Sequence, residues 1–248
     1  MYKHDTALFH PVDLPAALGL LTRLPIQVNS EKAIARGAAS AWAYPLVGVI
    51  VGVILAVIAS LLLSFGIPAV FAAGLVLASA VVLTGAMHED GLADTADGLW
   101  GGWDKARRLE IMKDSHIGVY GVCAIVLALF MRYLAISMVL SFEMHWMVFI
   151  AVGAVSRTNM VVLMALLPNA RGDGLSQSVG RPAQQTVWVA VAIGAGVAFA
   201  CGYPSMILVA AVIGTICALI ARSKIGGQTG DILGATQQVT AIALLMTI

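Results

Sequence analysis

Residues 43–63 read AYPLVGVIVGVILAVIASLLL, a run without a single charged side chain. A helix rises about 1.5 Å per residue and a bilayer core is about 30 Å thick, so about 20 apolar residues cross it. This run is long enough to span, and a helix that is hydrophobic all round belongs in lipid or in a core. The rest of the chain has the same character. Of its 248 residues, 60% are hydrophobic and 11% charged, with a mean hydropathy of +0.94, against about 45–50% apolar and about 25% charged in a soluble domain. A soluble globular protein is excluded, and a polytopic membrane protein follows.

Working outward from 43–63, further apolar runs lie at 68–87, 117–140, 144–167, 187–202, 203–221 and 232–248. The expected fold class is all-α, a polytopic integral membrane helical bundle of about seven transmembrane helices. Segment 11–26 is shorter and broken by Pro15, Gly19 and Arg23, which suits an N-terminal helix lying in the membrane interface. No internal repeat or linker sets off a second unit, so residues 1–248 are expected to form one integral membrane domain. Gly48 and Gly52 place two positions without side chains on one helix face, where another helix could approach closely; common glycine in an apolar helix is the plainer account. Cys123, Cys201 and Cys217 lie in or beside apolar runs and read as small buried hydrophobes, not as a disulfide framework.

The net charge of +1 is uninformative, but the placement of charge is not. Lys3, Arg23, Lys32 and Arg36 precede the first run; Lys105, Arg107, Arg108 and Lys113 lie between the second and third. Arg171 and Arg181 follow the fourth, and Arg222 and Lys224 the sixth. With seven spans these regions share one side, which the positive-inside rule makes cytoplasmic. The N-terminus and all acidic residues except Glu143 fall on that side, so a multi-pass protein of a bacterial inner membrane, with its chemistry facing the cytosol, is expected. Two cations remain within apolar runs. Arg157 stands about 15 Å from the cytoplasmic end of its helix, where arginine costs about 2.5–3.5 kcal/mol on insertion scales and needs a partner. It could bind a pyrophosphate or make a structural pair. Arg132 lies nearer the far side, where snorkelling or structural pairing is expected.

The most informative polar stretch is His88-Glu89-Asp90-Gly91-Leu92-Ala93-Asp94-Thr95-Ala96-Asp97-Gly98. On a helix at about 100° per residue, Asp90, Asp94 and Asp97 share an arc of about 60°, while Glu89 points elsewhere. Three converging carboxylates repel unless a cation sits among them, and hard oxygen donors favour Mg²⁺, which in turn implies a phosphate-bearing substrate. A solvated acidic loop with capping aspartates is the alternative. A second cluster, Lys113-Asp114-Ser115, sets a cation, a carboxylate and a hydroxyl just before a helix start, where free N–H groups favour an anion. A third, Gly226-Gly227-Gln228-Thr229-Gly230-Asp231, permits tight turns against a ligand, and Asp231 could join the metal or accept a proton.

Taken in order, these motifs resemble the cobalamin synthase family, the adenosylcobinamide-GDP ribazoletransferases of vitamin B12 assembly. The likeness begins at Leu21-Thr22-Arg23-Leu24-Pro25 and Tyr44-Pro45-Leu46-Val47-Gly48. It continues through His88 with Asp90-Gly91-Leu92-Ala93-Asp94-Thr95 and Asp97-Gly98, then Ile111-Met112-Lys113-Asp114-Ser115 with Gly118. Ser156-Arg157 and the glycine-rich loop with Leu233-Gly234-Ala235 complete it. His116 stands where the family usually has arginine, and Arg171 lacks the glutamate usual after it. The resemblance implies a Mg²⁺-dependent transferase that joins adenosylcobinamide-GDP to α-ribazole or α-ribazole 5′-phosphate and releases GMP. Asp90, Asp94 and Asp97 would hold the metal, with Asp231 or His88 as base. Lys113, Asp114, Ser115, Arg157, Arg171, Gly227 and Thr229 would contact the substrate and its phosphates. The expected partners are the two substrates and the lipid bilayer, with no nucleic acid; self-association is left open. A CDP-alcohol phosphotransferase also sets aspartates at a helical mouth, but Asp94 stands where its pattern has arginine. A cation transporter would place its carboxylates near the midplane.

Overall fold

The computed structural model describes residues 7–142 and 145–248; Lys3, Glu143 and Met144 lie outside the described residues. Among the described residues the elements are helical throughout. They run α1 (Asp13–Leu21), α2 (Ser30–Arg36), a 3-10 stretch (Gly37–Ala43), α3 (Tyr44–Ser64), α4 (Ala69–Thr84), α5 (Met87–Gly101) and α6 (Lys105–Ile111). Then follow α7 (Val119–Val139), α8 (His145–Leu166), α9 (Leu175–Val179), α10 (Gln184–Ala200), α11 (Ser205–Ile225) and α12 (Gly230–Leu245). Each apolar run becomes one helix: α3, α4, α7, α8, α10, α11 and α12.

Four helical stretches, containing α3, α7, α8 and α11, are long and apolar enough to cross a membrane on their own. The pair α4 and α5 passes the same test only jointly, because the chain bends by 87° between them. Helix α10 is shorter, and α12 buries Gln237, Gln238 and Thr240. This is a multi-pass membrane protein with four to five spans by length and composition.

The bundle is organised on α8, which packs against α3, α10, α11 and α12. Helix α3 reaches α8 through Gly48 and Gly52. A Cβ at Gly48 would strike the carbonyl of Gly153, and one at Gly52 that of Phe149. The two helices therefore touch backbone to backbone, the small-residue packing that lipid-embedded helices use in place of a hydrophobic drive.

The break between α4 and α5 falls at Gly85 and Ala86, both left-handed, with φ of +63° and +57°. Ala86 is a non-glycine residue in a conformation that L-residues rarely adopt. The turn swings α5 away from α4 and lays it between α7 and α12. Helix α1 sits on the bundle through Ala17, Leu18 and Leu21. It is locked there by the fully buried Asp13, which accepts from Arg36 Nε at 2.7 Å and from Trp42 Nε1 at 2.8 Å.

Candidate active site

Helix α5 carries the acidic motif, and the helix spreads its carboxylates over three environments. Asp90 is exposed, Asp94 half-buried and Asp97 buried. Both oxygens of Asp97 are engaged: Oδ2 accepts from the N–H of Gly118 at 2.7 Å and Oδ1 from that of Gly121 at 2.9 Å. It caps the N-terminus of α7, satisfying donors that have no partner within the helix. Glu89 points away from Asp90, as the helical register predicts, and is buried where it accepts from Arg132 at 2.7 Å.

Asp90 and Asp94 face the start of α12. Gly91 and Gly234 allow the two helices to meet, since a Cβ on Gly91 would lie 2.9 Å from the carbonyl oxygen of Asp231. Asp94 thereby lies in the electrostatic field of Asp90, Asp231 and Asp97, with Arg171 as the opposing charge. Asp231 is oriented from two sides. Thr229 Oγ1 donates to its Oδ2 at 3.1 Å, and Arg171 to the same oxygen at 3.2 Å. Thr229 also caps α12, accepting from the N–H of Ile232.

The glycine-rich loop is held against the segment after α8. Gln228 N–H donates to the Pro168 carbonyl and Ala170 N–H to the Gln228 carbonyl, each at 2.9 Å. Gly227 is packed on the Pro168 carbonyl, and Ser176 donates to Gln228 Oε1 at 2.6 Å. This pairing carries Arg171 to Asp231, a juxtaposition of residues sixty apart in sequence. The second cluster reaches the same rim. Lys113 forms an ion pair with Asp173, which holds the exposed Asp173 carboxyl below its usual range. Asp114 is turned toward His116, accepting from its backbone N–H at 3.0 Å; the His116 hydrogen bonds lower its pKa as well. Ser115 is exposed beside them.

Two cavities meet at His88, which is 1% exposed and whose two ring nitrogens have no hydrogen-bond partner. The outer cavity, about 210 Å³, is lined by Asp90, Asp231 and Arg171 on its polar side. The inner one, about 60 Å³, is lined by Glu89, Arg132, Arg157, Gln237 and Gln238. Arg157 belongs to this inner chamber. It is 3% exposed and donates to the carbonyl of Gly153 at 3.2 Å, so the structure does not bring it to Asp90 and Asp231. Arg132 makes the structural pair expected of it, joined by Gln238, which accepts from Arg132 at 2.9 Å and donates to Glu89 at 3.0 Å. Sequence reading gave no role to Asp173 or Ser176. Their neighbours in space come from other loops, and no local pattern marks them.

Among the described residues, no three His, Cys, Asp or Glu side chains are drawn together closely enough to form a metal centre. The donor set at the mouth nevertheless suits a hard divalent cation: carboxylates of like charge, with one arginine opposing them.

A model of the cobalamin-5-phosphate synthase family matches residues 13–248. A relative named adenosylcobinamide-GDP ribazoletransferase, from Bradyrhizobium diazoefficiens, is 41% identical over 241 residues, covering 94% of this chain and 92% of the relative. Proteins of the same name from Azorhizobium caulinodans and Mesorhizobium japonicum are 39% and 38% identical, covering 94% of this chain and 94% and 91% of their own length. No solved structure matches the chain. With a family model spanning all but the first dozen residues, the chain belongs to the cobalamin-5-phosphate synthase family.

Proposed function

We infer that this protein is an adenosylcobinamide-GDP ribazoletransferase, joining adenosylcobinamide-GDP to α-ribazole or its 5′-phosphate with release of GMP. The observation that carries the reading is the Arg171–Asp231 ion pair beside Asp90 at the outer cavity, with Asp94 in the field of these charges. A diphosphate substrate needs positive charge on its oxygens and a base for the incoming hydroxyl. Asp231, oriented by Thr229 and Arg171, takes the proton of the ribazole hydroxyl as its oxygen attacks the corrinoid-linked phosphorus. His88 stands behind it with unpartnered ring nitrogens and hydrogen-bonds the bound nucleoside. Lys113 and Arg171 bind phosphate oxygens, at a rim shared with Ser115. Asp97 keeps the start of α7 in place beneath them.

Mg²⁺ would be held by Asp90 and Asp94, with Asp231 at its edge, where it would neutralise charge on the leaving phosphate. The site faces the cytosol of a bacterial inner membrane, because the basic loops gather on its side.

The test is GMP release from proteoliposomes given both substrates, with and without Mg²⁺. Wild type should release GMP only with Mg²⁺, and Asp94→Asn should lose release while keeping its helical circular dichroism. Full activity in Asp94→Asn would remove the metal role. No release from well-folded wild type would discard the assignment and turn the search to CDP-alcohols.

A further inference from the structure

The outer cavity has a charged and an apolar share of lining residues, and the function proposed above uses the charged share. Besides Asp90, Arg171 and Asp231, the cavity is lined by Leu20 and Leu21 of α1, Met160 and Met164 of α8 and Leu233 of α12, with Tyr44 and Ser176 among them. Met160 and Met164 are four apart, on one face of α8, and are 4% and 2% exposed. Gly230 also lines it, and a Cβ there would meet nothing within 4 Å. His88 lines both this cavity and the inner one, with two unpartnered ring nitrogens. An apolar cleft with a few convergent polar groups is the usual form of a small-molecule site.

Resting on the function proposed above, we propose that this apolar lining is the receptor for the base of α-ribazole, and that guanine and the corrin ring bind elsewhere. Size excludes the corrin: a cavity of about 210 Å³ admits a bicyclic base, not a macrocycle several times larger. Chemistry separates the two bicyclic bases. Guanine carries a hydrogen-bonding edge of several donors and acceptors; with the Ser176 hydroxyl engaged by Gln228, a leucine and methionine lining with the single Tyr44 side chain would leave most of that edge unpaired, at the desolvation cost of each group. A benzimidazole bearing two methyl groups has no such edge. Its methyls meet leucine, its ring meets two polarisable thioethers, a favourable sulfur–aromatic contact, and one ring nitrogen is left for His88. The ribose then points at Asp231 and Arg171, which places its hydroxyl where the base is. Helix α1, pinned by Asp13 and Arg36, is thereby a wall of the substrate site.

The test measures KM for each substrate separately, by GMP release in Mg²⁺-containing proteoliposomes. Met160→Ala should raise KM for α-ribazole about tenfold, and leave KM for adenosylcobinamide-GDP and the rate at saturation within twofold. Benzimidazole riboside, which lacks the two methyls, needs no variant. With wild type it should show a KM about tenfold or more above that of α-ribazole, the order expected for methyl groups lost from an apolar pocket. In Met160→Ala that penalty should shrink, since the contacts it measures are already gone. A raised KM for adenosylcobinamide-GDP, with α-ribazole unaffected, would overturn the assignment in favour of guanine. So would equal KM values for the two ribosides with wild type. These outcomes leave the transferase reading intact, whereas a wild type that releases no GMP overturns that reading and this one with it.

Discussion

Glu89 and Asp90 are sequence neighbours with opposite tasks, separated by about 100° of helix rotation. Asp90 lines the outer cavity, while Glu89 is 6% exposed and bound to Arg132 and Gln238 inside the bundle. A buried pair adds little net stability, because desolvation offsets attraction, but removing one partner strands the other charge. Glu89→Gln should therefore destabilise the protein by about 3–5 kcal/mol, read as a lower midpoint in thermal unfolding in detergent. Adding Arg132→Met should recover part of the loss; a double variant worse than the sum of the singles would refute the pairing. Asp97 follows the same logic. It shares the helical arc with Asp90 and Asp94, as sequence spacing predicts, yet its oxygens are taken by the start of α7. Spacing reports which way a side chain leaves its helix, and the group that meets it belongs to another segment.

Between elements, the α3–α8 contact sets the frame for the site, because α8 carries Arg157 inward and Met160 and Met164 toward the outer cavity. Gly153 faces the Gly48 carbonyl with no room for a side chain. Gly153→Leu should force the helices apart and cost about 1–3 kcal/mol or more, with lower activity as the cavity wall moves. Gly196→Leu on α10, where a Cβ meets nothing within 4 Å, should leave the unfolding midpoint unchanged. Equal effects from the two would show that the close approach is not what the glycines serve. The pairing of Gly48 with Gly52 was visible in the sequence, but their partner was not, since glycine is frequent in membrane helices and a bare face does not name the helix that fills it. The bend at Gly85 and Ala86 was also hidden. Nothing in the local pattern separates a helix ending at residue 84 from one running on into the acidic motif.

Across the whole molecule, the polar clusters end up on one side of an apolar bundle. Lys113, Asp173, Arg171 and Asp231 form a chain of charges that joins three loops at the rim. On the cytosolic orientation proposed above, Ser115→Cys should react with a membrane-impermeant thiol reagent in inverted vesicles and remain unreactive in intact cells. The wild-type protein, with its three cysteines, supplies the background. Labelling only from outside would reverse the orientation and move the site to the opposite face.

What the sequence by itself determined is whatever depends on neighbours along the chain. The seven apolar runs became seven helices, because helix formation and lipid burial are both local demands on a continuous segment. The acidic stretch became a helix with Glu89 turned away from Asp90, because a period of 3.6 residues needs no tertiary information. The order of the motifs was enough to point to the family. Only the tertiary structure decided which of the expected residues meet. Arg157 lies in the inner cavity, apart from Asp90 and Asp231, because it stands a turn further along the α8 face whose Met160 and Met164 line the outer cavity. Arg171 reaches Asp231 because the glycine-rich loop pairs with residues 168–170. The outer cavity exists because α1, α5, α8 and α12 converge. Contacts across such distances depend on how whole helices pack, and that packing is set by the sum of many weak contacts that no single segment encodes.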